Sequence, residues 1–133
     1  MPDASADARL LEAAKRVREH AYAPYSGFRV GAAIESDSGR VYVGANVENA
    51  SYGATVCAER SAVAAMIAAG EKSIVRVAVY AEGPELSMPC GMCRQVLVEF
   101  GKDAAVIVGG LAGTRATTLT TLMPEPFIFE APP

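Results

Sequence analysis

The middle of this chain alternates between strand-like and helix-like apolar patterns, which restricts its fold more than any other feature. Ile74 to Tyr80 and Ala104 to Val108 are almost continuously apolar, as expected for strands covered on both faces. Cys57 to Ala69 and Cys90 to Phe100 are apolar at helical spacing and each is followed by glycine, a common helix stop. The first of these helices is apolar nearly all round and is predicted to be buried. Together with the strand before it, the order strand, helix, strand, helix, strand predicts right-handed crossovers and a largely parallel half-sheet.

The segments before and after this region add a helix, a hairpin and an ambiguous tail. The apolar spacing predicts a first helix from about Ala6 to Ala21. Phe28 to Ile34 and Val41 to Val47 alternate in hydrophobicity, and the turn residues Ser36 to Gly39 between them predict a β-hairpin. Thr117 to Leu122 fits either a strand or a short helix. We therefore expect a three-layer α/β/α domain with a mixed five-stranded sheet.

Length and charge limit the number of domains and the kinds of partner. The 133 residues are enough for one domain, predicted to span residues 1–133, and 51% are hydrophobic. A net charge of −3 disfavours nucleic acid as a partner. The sequence has neither a signal-peptide pattern nor an apolar run of bilayer length. We expect a cytoplasmic protein with a small-molecule ligand and no membrane partner.

All three cysteines lie at predicted helix N-termini: Cys57 begins one helix, and Cys90 and Cys93 begin the other. Helix N-termini lower thiol pKa values, which favours the thiolate form that metals bind. Cys90 and Cys93 are three residues apart and should share the buried face of their helix. Three protein ligands and one open position define a catalytic zinc site. The cysteines therefore predict one bound Zn²⁺.

Two charged residues follow Cys57 directly. A carboxylate such as Glu59 is costly in an otherwise apolar helix, unless it caps the helix or meets a metal-activated water. In the second case Glu59 transfers protons as the catalytic acid and base. The three thiolates leave the zinc centre with net negative charge, and Arg60 can offset it by donating to cysteine sulfurs.

The motifs around these residues resemble those of a known family. Cys57-Ala58-Glu59, followed by Pro89-Cys90-Gly91-Met92-Cys93, is the motif pair of the zinc nucleoside deaminases. The cysteine in first place, where polynucleotide deaminases carry histidine, is similar to the small homotetrameric cytidine deaminases. The resemblance continues in four further segments, from Tyr22 to about Phe100: Tyr22 to Ser26, Phe28 to Ala33, Asn46 to Tyr52 and Cys90 to Leu97.

This resemblance implies a cytidine deaminase-like fold, an activity and the residues that bind substrate. The activity is hydrolysis of cytidine and 2'-deoxycytidine to uridine and 2'-deoxyuridine in pyrimidine salvage. Asn46 and Glu48 match the residues that bind the ribose hydroxyls, and Phe28 matches an aromatic that packs on the pyrimidine. The backbone N–H of Ala58 and the Glu59 carboxylate would bind the carbonyl and ring nitrogen of the base.

The resemblance also implies a homotetramer with one zinc per subunit. Ala50 and Tyr52 match positions that reach the active site of a neighbouring subunit. Phe127, in the tail, matches an aromatic that closes a neighbour's pocket. The small apolar residues from Val63 to Ala69 would permit helix packing between subunits.

Each feature also has a simpler explanation. Cys-x-x-Cys alone fits a redox pair or half of a structural zinc site. The fourth ligand of such a zinc site would have to be His20, which lies in a charged stretch predicted to face solvent. Glu59 alone fits a helix N-terminal charge. Two other functions remain open. A deaminase of blasticidin S type shares the zinc motifs but departs from Phe-x-Val-Gly-Ala and Asn-x-Glu-Asn, which are both intact here. The other is a non-catalytic zinc module for assembly.

Overall fold

The central element is a five-stranded mixed sheet, seen in a computed structural model that describes residues 3–132. The predicted domain also includes residues 1, 2 and 133, which lie outside that range. The strands occur in the spatial order β2-β1-β3-β4-β5. Their bounds are β1 Val30–Ser36, β2 Val41–Ala45, β3 Ile74–Ala81, β4 Ala105–Gly110 and β5 Gly113–Thr118.

In the described part of the chain, four α-helices accompany the sheet: α1 Ala4–Val17, α2 Ala58–Ala68, α3 Gly91–Phe100 and α4 Leu119–Leu122. The Asp3 carboxylate caps α1 by accepting from the Ala6 N–H at 3.0 Å. The last turn of the predicted first helix is a 3₁₀ helix over Arg18–His20. Of the helices in the described range, none is long and apolar enough to span a bilayer.

The sheet is less parallel than the sequence pattern predicts. Among the strands of residues 3–132, only β3 and β4 pair in parallel. Strand β1 pairs antiparallel with both β2 and β3, and β5 pairs antiparallel with β4. The predicted hairpin is confirmed, and its first strand explains the difference. Because β1 lies between β2 and β3, the strands before and after α2 run in the same direction without being neighbours.

The two faces of the sheet carry separate apolar cores. On one face α1 packs Leu10 and Ala14 against Ala33 and Ala78. On the other, α2 and α3 pack against a larger cluster that includes Ile34, Met66, Val79, Leu97 and Val108. The predicted three-layer α/β/α arrangement is confirmed. Both metal-motif helices lie on the same face, so their N-termini can meet.

Helix α2 is not buried on all sides within this chain, contrary to the sequence prediction. Ala62, Val63 and Met66 are buried, but Ile67 is 41% exposed and Ala64, Ala65 and Ala68 are also exposed. The sheet covers only one side of a single helix, so an all-round apolar pattern leaves an apolar face uncovered. The ambiguous tail segment contains both predicted structures, because β5 ends at Thr118 and α4 begins at Leu119.

Candidate metal centre and active site

The sulfurs of Cys57, Cys90 and Cys93 all lie within 4.8 Å of one another. Cys57 is the residue before α2, and Cys90 is the residue before α3. Cys93 lies in the first turn of α3. Both helices therefore begin one residue later than predicted, and all three thiols gather where the two helices start.

The three thiols differ in their surroundings. Cys93 is fully buried, Cys57 is half-buried and Cys90 is exposed. Cys90 has extended backbone (φ −68°, ψ 169°), so it does not share a helical face with Cys93 as the spacing had suggested. The Cys93 N–H lowers the pKa of Cys90 by hydrogen bonding, as expected at a helix N-terminus. Burial raises the pKa of Cys93, and the nearby Glu59 charge adds to this effect.

This donor set fits a zinc ion. Three sulfurs at about 2.3 Å from a tetrahedral ion stand roughly 3.8 Å apart, which small side-chain adjustments can reach from the observed spacing. A buried thiol whose pKa is raised needs a cation before it can exist as thiolate. No fourth histidine, cysteine or carboxylate belongs to the cluster in residues 3–132, and His20 is exposed. The described residues would therefore offer an ion three ligands, the number found in catalytic zinc sites.

Glu59 lies in the first turn of α2 and is only 6% exposed. It borders the same cavity as the three cysteines. Burial raises the pKa of its carboxyl group, partly opposed by its own backbone N–H and by the charge of Arg60. A carboxyl group held in this way can accept and return a proton.

Arg60 connects the cysteine cluster to the segment before it. Its Nη2 donates to the Thr55 carbonyl oxygen at 3.0 Å and to the Cys57 sulfur at 3.7 Å. The bond to Cys57 is the main reason that the Arg60 pKa is raised. Its Nε atom is buried and has no partner among the described residues. Arg60 is therefore placed to stabilise a thiolate at Cys57.

A cavity of about 220 Å³ opens beside the cysteines. It brings together seven of the residues predicted from sequence: Phe28, Asn46, Cys57, Ala58, Glu59, Cys90 and Cys93. Sequence reasoning missed the other lining residues: Val30, Thr55, Val56, Val79, Ser87 and Met88. Most of these are apolar wall residues that no sequence pattern separates from the core. Ser87 and Met88 lie in an irregular loop without motif or periodicity.

The Asn46 side chain holds the backbone on either side of Arg29. It accepts from the Val30 N–H at 2.9 Å and donates to the Phe28 carbonyl oxygen at 2.8 Å. Strand β2 ends one residue earlier, and Val47 continues it with bridges to Tyr22 and Val56. These bridges place Asn46 in the cavity wall near Cys57, and the hydrogen bond from Asn46 holds the Phe28 backbone beside it.

Glu48 lies outside that cavity, in a neighbouring depression lined also by Tyr25, Ser26 and Tyr52. Its carboxylate accepts from the N–H groups of Tyr25 at 2.9 Å and Ser26 at 3.1 Å, and from the Ser26 hydroxyl. The Ser26 hydroxyl is the main cause of the lowered Glu48 pKa. Glu48 is thus a fixed anion at the rim, and the structure separates it from Asn46.

The three residues predicted to serve a neighbouring subunit do not border the cavity of their own chain. Ala50 is exposed, Tyr52 is 82% exposed and Phe127 is 73% exposed.

Residues 4–109 match the family model described as "Cytidine and deoxycytidylate deaminase zinc-binding region". A cytidine deaminase of Halalkalibacterium halodurans is 44% identical over 123 residues, covering 91% of this chain and 93% of that protein. A probable cytidine deaminase of Dictyostelium discoideum is 38% identical over 123 residues, covering 92% and 84% of the two chains.

Solved structures resemble the whole architecture. The crystal structure of cytidine deaminase from Burkholderia pseudomallei superposes with a TM-score of 0.86 at 45% identity, covering 90% of this chain and 98% of that one. Cytidine deaminase from Mycobacterium tuberculosis gives a TM-score of 0.78 at 39% identity, covering 92% and 97%. The mixed sheet and its helices are therefore shared features.

Proposed function

This chain belongs to the cytidine and deoxycytidylate deaminase family, and from that premise we propose that it hydrolyses cytidine and 2'-deoxycytidine. The products are uridine or 2'-deoxyuridine and ammonia. The observation that carries the proposal is the position of Glu59, a buried acid in the wall of the cavity that three clustered cysteines share.

We propose that Cys57, Cys90 and Cys93 hold one Zn²⁺ per subunit, which supplies Lewis-acid activation of a water molecule at neutral pH. Arg60 helps to keep Cys57 in its thiolate form by donating to the sulfur. The buried Cys93 fixes one side of the ligand set in the core, whereas Cys90 closes it from the solvent side.

Glu59 moves the protons of the reaction. It takes a proton from the attacking water and delivers it to N3 of the pyrimidine, while the water oxygen bonds to C4. It then takes the second proton from that oxygen and passes it to the exocyclic nitrogen. The C4–N4 bond breaks, ammonia leaves and C4 keeps the oxygen as a carbonyl. No electron is gained or lost by any outside partner.

The cavity wall positions the substrate. Phe28 packs on the pyrimidine ring, and the Ala58 backbone N–H and the Glu59 carboxylate bind its carbonyl and ring nitrogen. Asn46 in the cavity wall donates a hydrogen bond to the ribose, and Glu48 at the rim accepts hydrogen bonds from the ribose hydroxyl groups. Because Glu48 lies outside the cavity of the free chain, we assign it to the outer part of the sugar.

We propose a homotetramer whose active sites are completed by neighbouring subunits. The exposed apolar face of α2, with Ile67 at its centre, supports helix packing between copies. Ala50, Tyr52 and Phe127 are exposed and free to reach the cavity of another subunit. Light scattering checks the mass, and a monomer would contradict these three roles.

The decisive experiment replaces Glu59 with glutamine, which preserves the shape of the side chain and removes the base. We expect one zinc per chain by metal analysis, and turnover of cytidine lower by at least about 100-fold. Glu99→Gln, at an exposed position of α3, is the matched control and should behave as the unmodified chain. Substantial residual turnover in Glu59→Gln would rule out the proposed mechanism.

Two alternative functions are separated by one absorbance assay. A deaminase of blasticidin S type would act on blasticidin S in preference to cytidine. A non-catalytic zinc module would bind zinc and leave the cytidine spectrum unchanged at any protein concentration. We further propose that residues 1–133 form a single domain, which acts in pyrimidine salvage in the cytoplasm. The three free thiols support a reducing compartment such as the cytoplasm.

A further inference from the structure

Cys90 reaches the metal cluster from a segment without regular structure. Residues 82–90, between β3 and α3, form neither helix nor strand, and Cys90 itself is exposed. Cys93 is held by the first turn of α3 and is fully buried, and Cys57 follows the bridge between Val47 and Val56. Metal ligands must be held to within about 0.5 Å of their productive positions. The secondary structure alone does not provide this for Cys90.

Arg94 binds both carbonyl groups that flank Cys90. Its Nε donates to the Pro89 carbonyl oxygen at 2.7 Å, and its backbone N–H donates to the Cys90 carbonyl oxygen at 2.9 Å. The bond from Nε to Pro89 links the Arg94 side chain directly to the peptide that joins Pro89 to Cys90. The position of Cys90 therefore depends directly on where the Arg94 side chain is held.

A second contact of Arg94 fixes its guanidinium group to another element. Nη1 donates to the carbonyl oxygen of Leu122, the last residue of α4, at 3.1 Å. The final carbonyls of a helix lack partners within it and readily accept such a donor. Helix α4 is itself firmly seated, because Leu119 is fully buried and its N–H donates to the Ala104 carbonyl oxygen at 3.0 Å.

We propose that Arg94 is a positioning residue that holds Cys90 at metal-binding distance by tying the Pro89–Cys90 peptide to α4. The proposal rests on the proposed function only in that the three cysteines bind zinc. Arg94 touches neither the metal nor the substrate in this role. Its two side-chain bonds diverge from one planar group, a geometry that lysine cannot reproduce. Without them, the exposed segment at Cys90 is free to move outward and the third ligand is weakened.

The test measures zinc retention in the zinc-loaded chain of 133 residues. Arg94→Met keeps much of the side-chain bulk and removes both side-chain donors, and Arg94→Lys keeps the charge and one donor group. We expect Arg94→Met to lower zinc affinity about 10- to 100-fold, as loss of outer-shell support typically does. Transfer of zinc to the dye 4-(2-pyridylazo)resorcinol reports this directly, and Arg94→Lys should fall in between.

The neighbouring Gln95 provides a matched control. It lies on the same helix and also binds the C-terminal segment, but through the backbone of Phe127 and not through Pro89. Gln95→Leu should retain zinc as the unmodified chain does. The thermal midpoint of the metal-free Arg94→Met chain should stay close to that of metal-free Gln95→Leu, because the effect is on ligand placement.

Three results would overturn the proposal. The first is normal zinc retention in Arg94→Met, and the second is an equal loss of zinc affinity in Gln95→Leu. The third is a loss of zinc affinity in Arg94→Met that a lower thermal midpoint of its metal-free chain fully accounts for. If Arg94→Met does not fold, Arg94→Lys decides by the same measurement. The outcome is independent of deamination, and the zinc effect should persist in a Glu59→Gln background. Absence of zinc from the unmodified chain would instead contradict the proposed function as well.

Discussion

Gln95 and Phe127 exchange two hydrogen bonds. The Gln95 Nε2 donates to the Phe127 carbonyl oxygen at 2.8 Å, and the Phe127 N–H donates to the Gln95 Oε1 at 3.1 Å. This pairing fixes the tail backbone against α3 while the Phe127 ring remains 73% exposed. An aromatic ring is thus presented outward from an anchored backbone.

Replacing Gln95 with alanine should release this part of the tail. Each bond contributes about 1 kcal/mol and the change removes both, so protection of the Phe127 amide against hydrogen exchange should fall roughly 30-fold. If Phe127 closes a neighbour's cavity, the KM for cytidine should rise as well. Glu99→Ala, on the same helix, is the control and should leave the exchange rate unchanged. Unaltered protection in Gln95→Ala would mean that other contacts hold the tail.

Replacing Asn46 with alanine should lower stability as well as substrate binding. The change removes both bonds to the Phe28 and Val30 backbone, so we expect a loss of about 1–2 kcal/mol in the free energy of unfolding. Asn46→Asp keeps the acceptor for the Val30 N–H but faces the Phe28 carbonyl with a second oxygen. It should therefore also be less stable. Denaturant unfolding of the unliganded chain measures both. If Asn46 only bound ribose, its replacement would raise the KM for cytidine and leave the free energy of unfolding unchanged.

Replacing Gly44 with alanine should push α2 away from β2. A Cβ atom there would lie 2.7 Å from the Ala58 carbonyl oxygen and closer still to the backbone nitrogen of Ala62. Neither backbone atom can yield without moving the helix that carries Glu59. We expect roughly 1–3 kcal/mol of destabilisation, measured by thermal unfolding, together with reduced turnover. Gly53→Ala, where a Cβ meets nothing within 4 Å, should be close to neutral. Equal midpoints for the two variants would contradict this prediction.

The carboxylate of Glu71 should contribute to the free energy of unfolding at neutral pH and lose that contribution in acid. Hydrogen bonds from Ser38, Tyr42 and Ser36 hold its pKa below the ordinary value of 4.5. A group whose pKa is lower in the folded state stabilises the fold above its unfolded pKa, and loses that contribution as pH falls through its folded pKa. The difference in unfolding free energy between the unmodified chain and Glu71→Gln should therefore shrink below about pH 4.5. A difference that stays constant from pH 7 to pH 3 would be inconsistent with this assignment.

Much of the fold follows from patterns that are local in the sequence. Alternating hydrophobicity and turn residues predict the hairpin of β1 and β2, and the continuous apolar runs predict β3 and β4 to within two residues at either end. Each predicted helix is present, because apolar spacing and glycine stops act over a few neighbouring residues. The order of the strands is different. Placing β1 between β2 and β3 depends on pairing between β1 and β3, which are about 40 residues apart.

The candidate site divides in the same way. Motif spacing alone predicts which residues bind a metal and move protons, namely Cys57, Glu59, Cys90 and Cys93. The packing of distant segments places Glu48 at the rim apart from Asn46, and it leaves an apolar face of α2 exposed. It also allows Arg94 to reach Leu122 through a hydrogen bond between residues 28 positions apart. Such contacts form only when the packed core brings distant segments together, and no local pattern of residues records them.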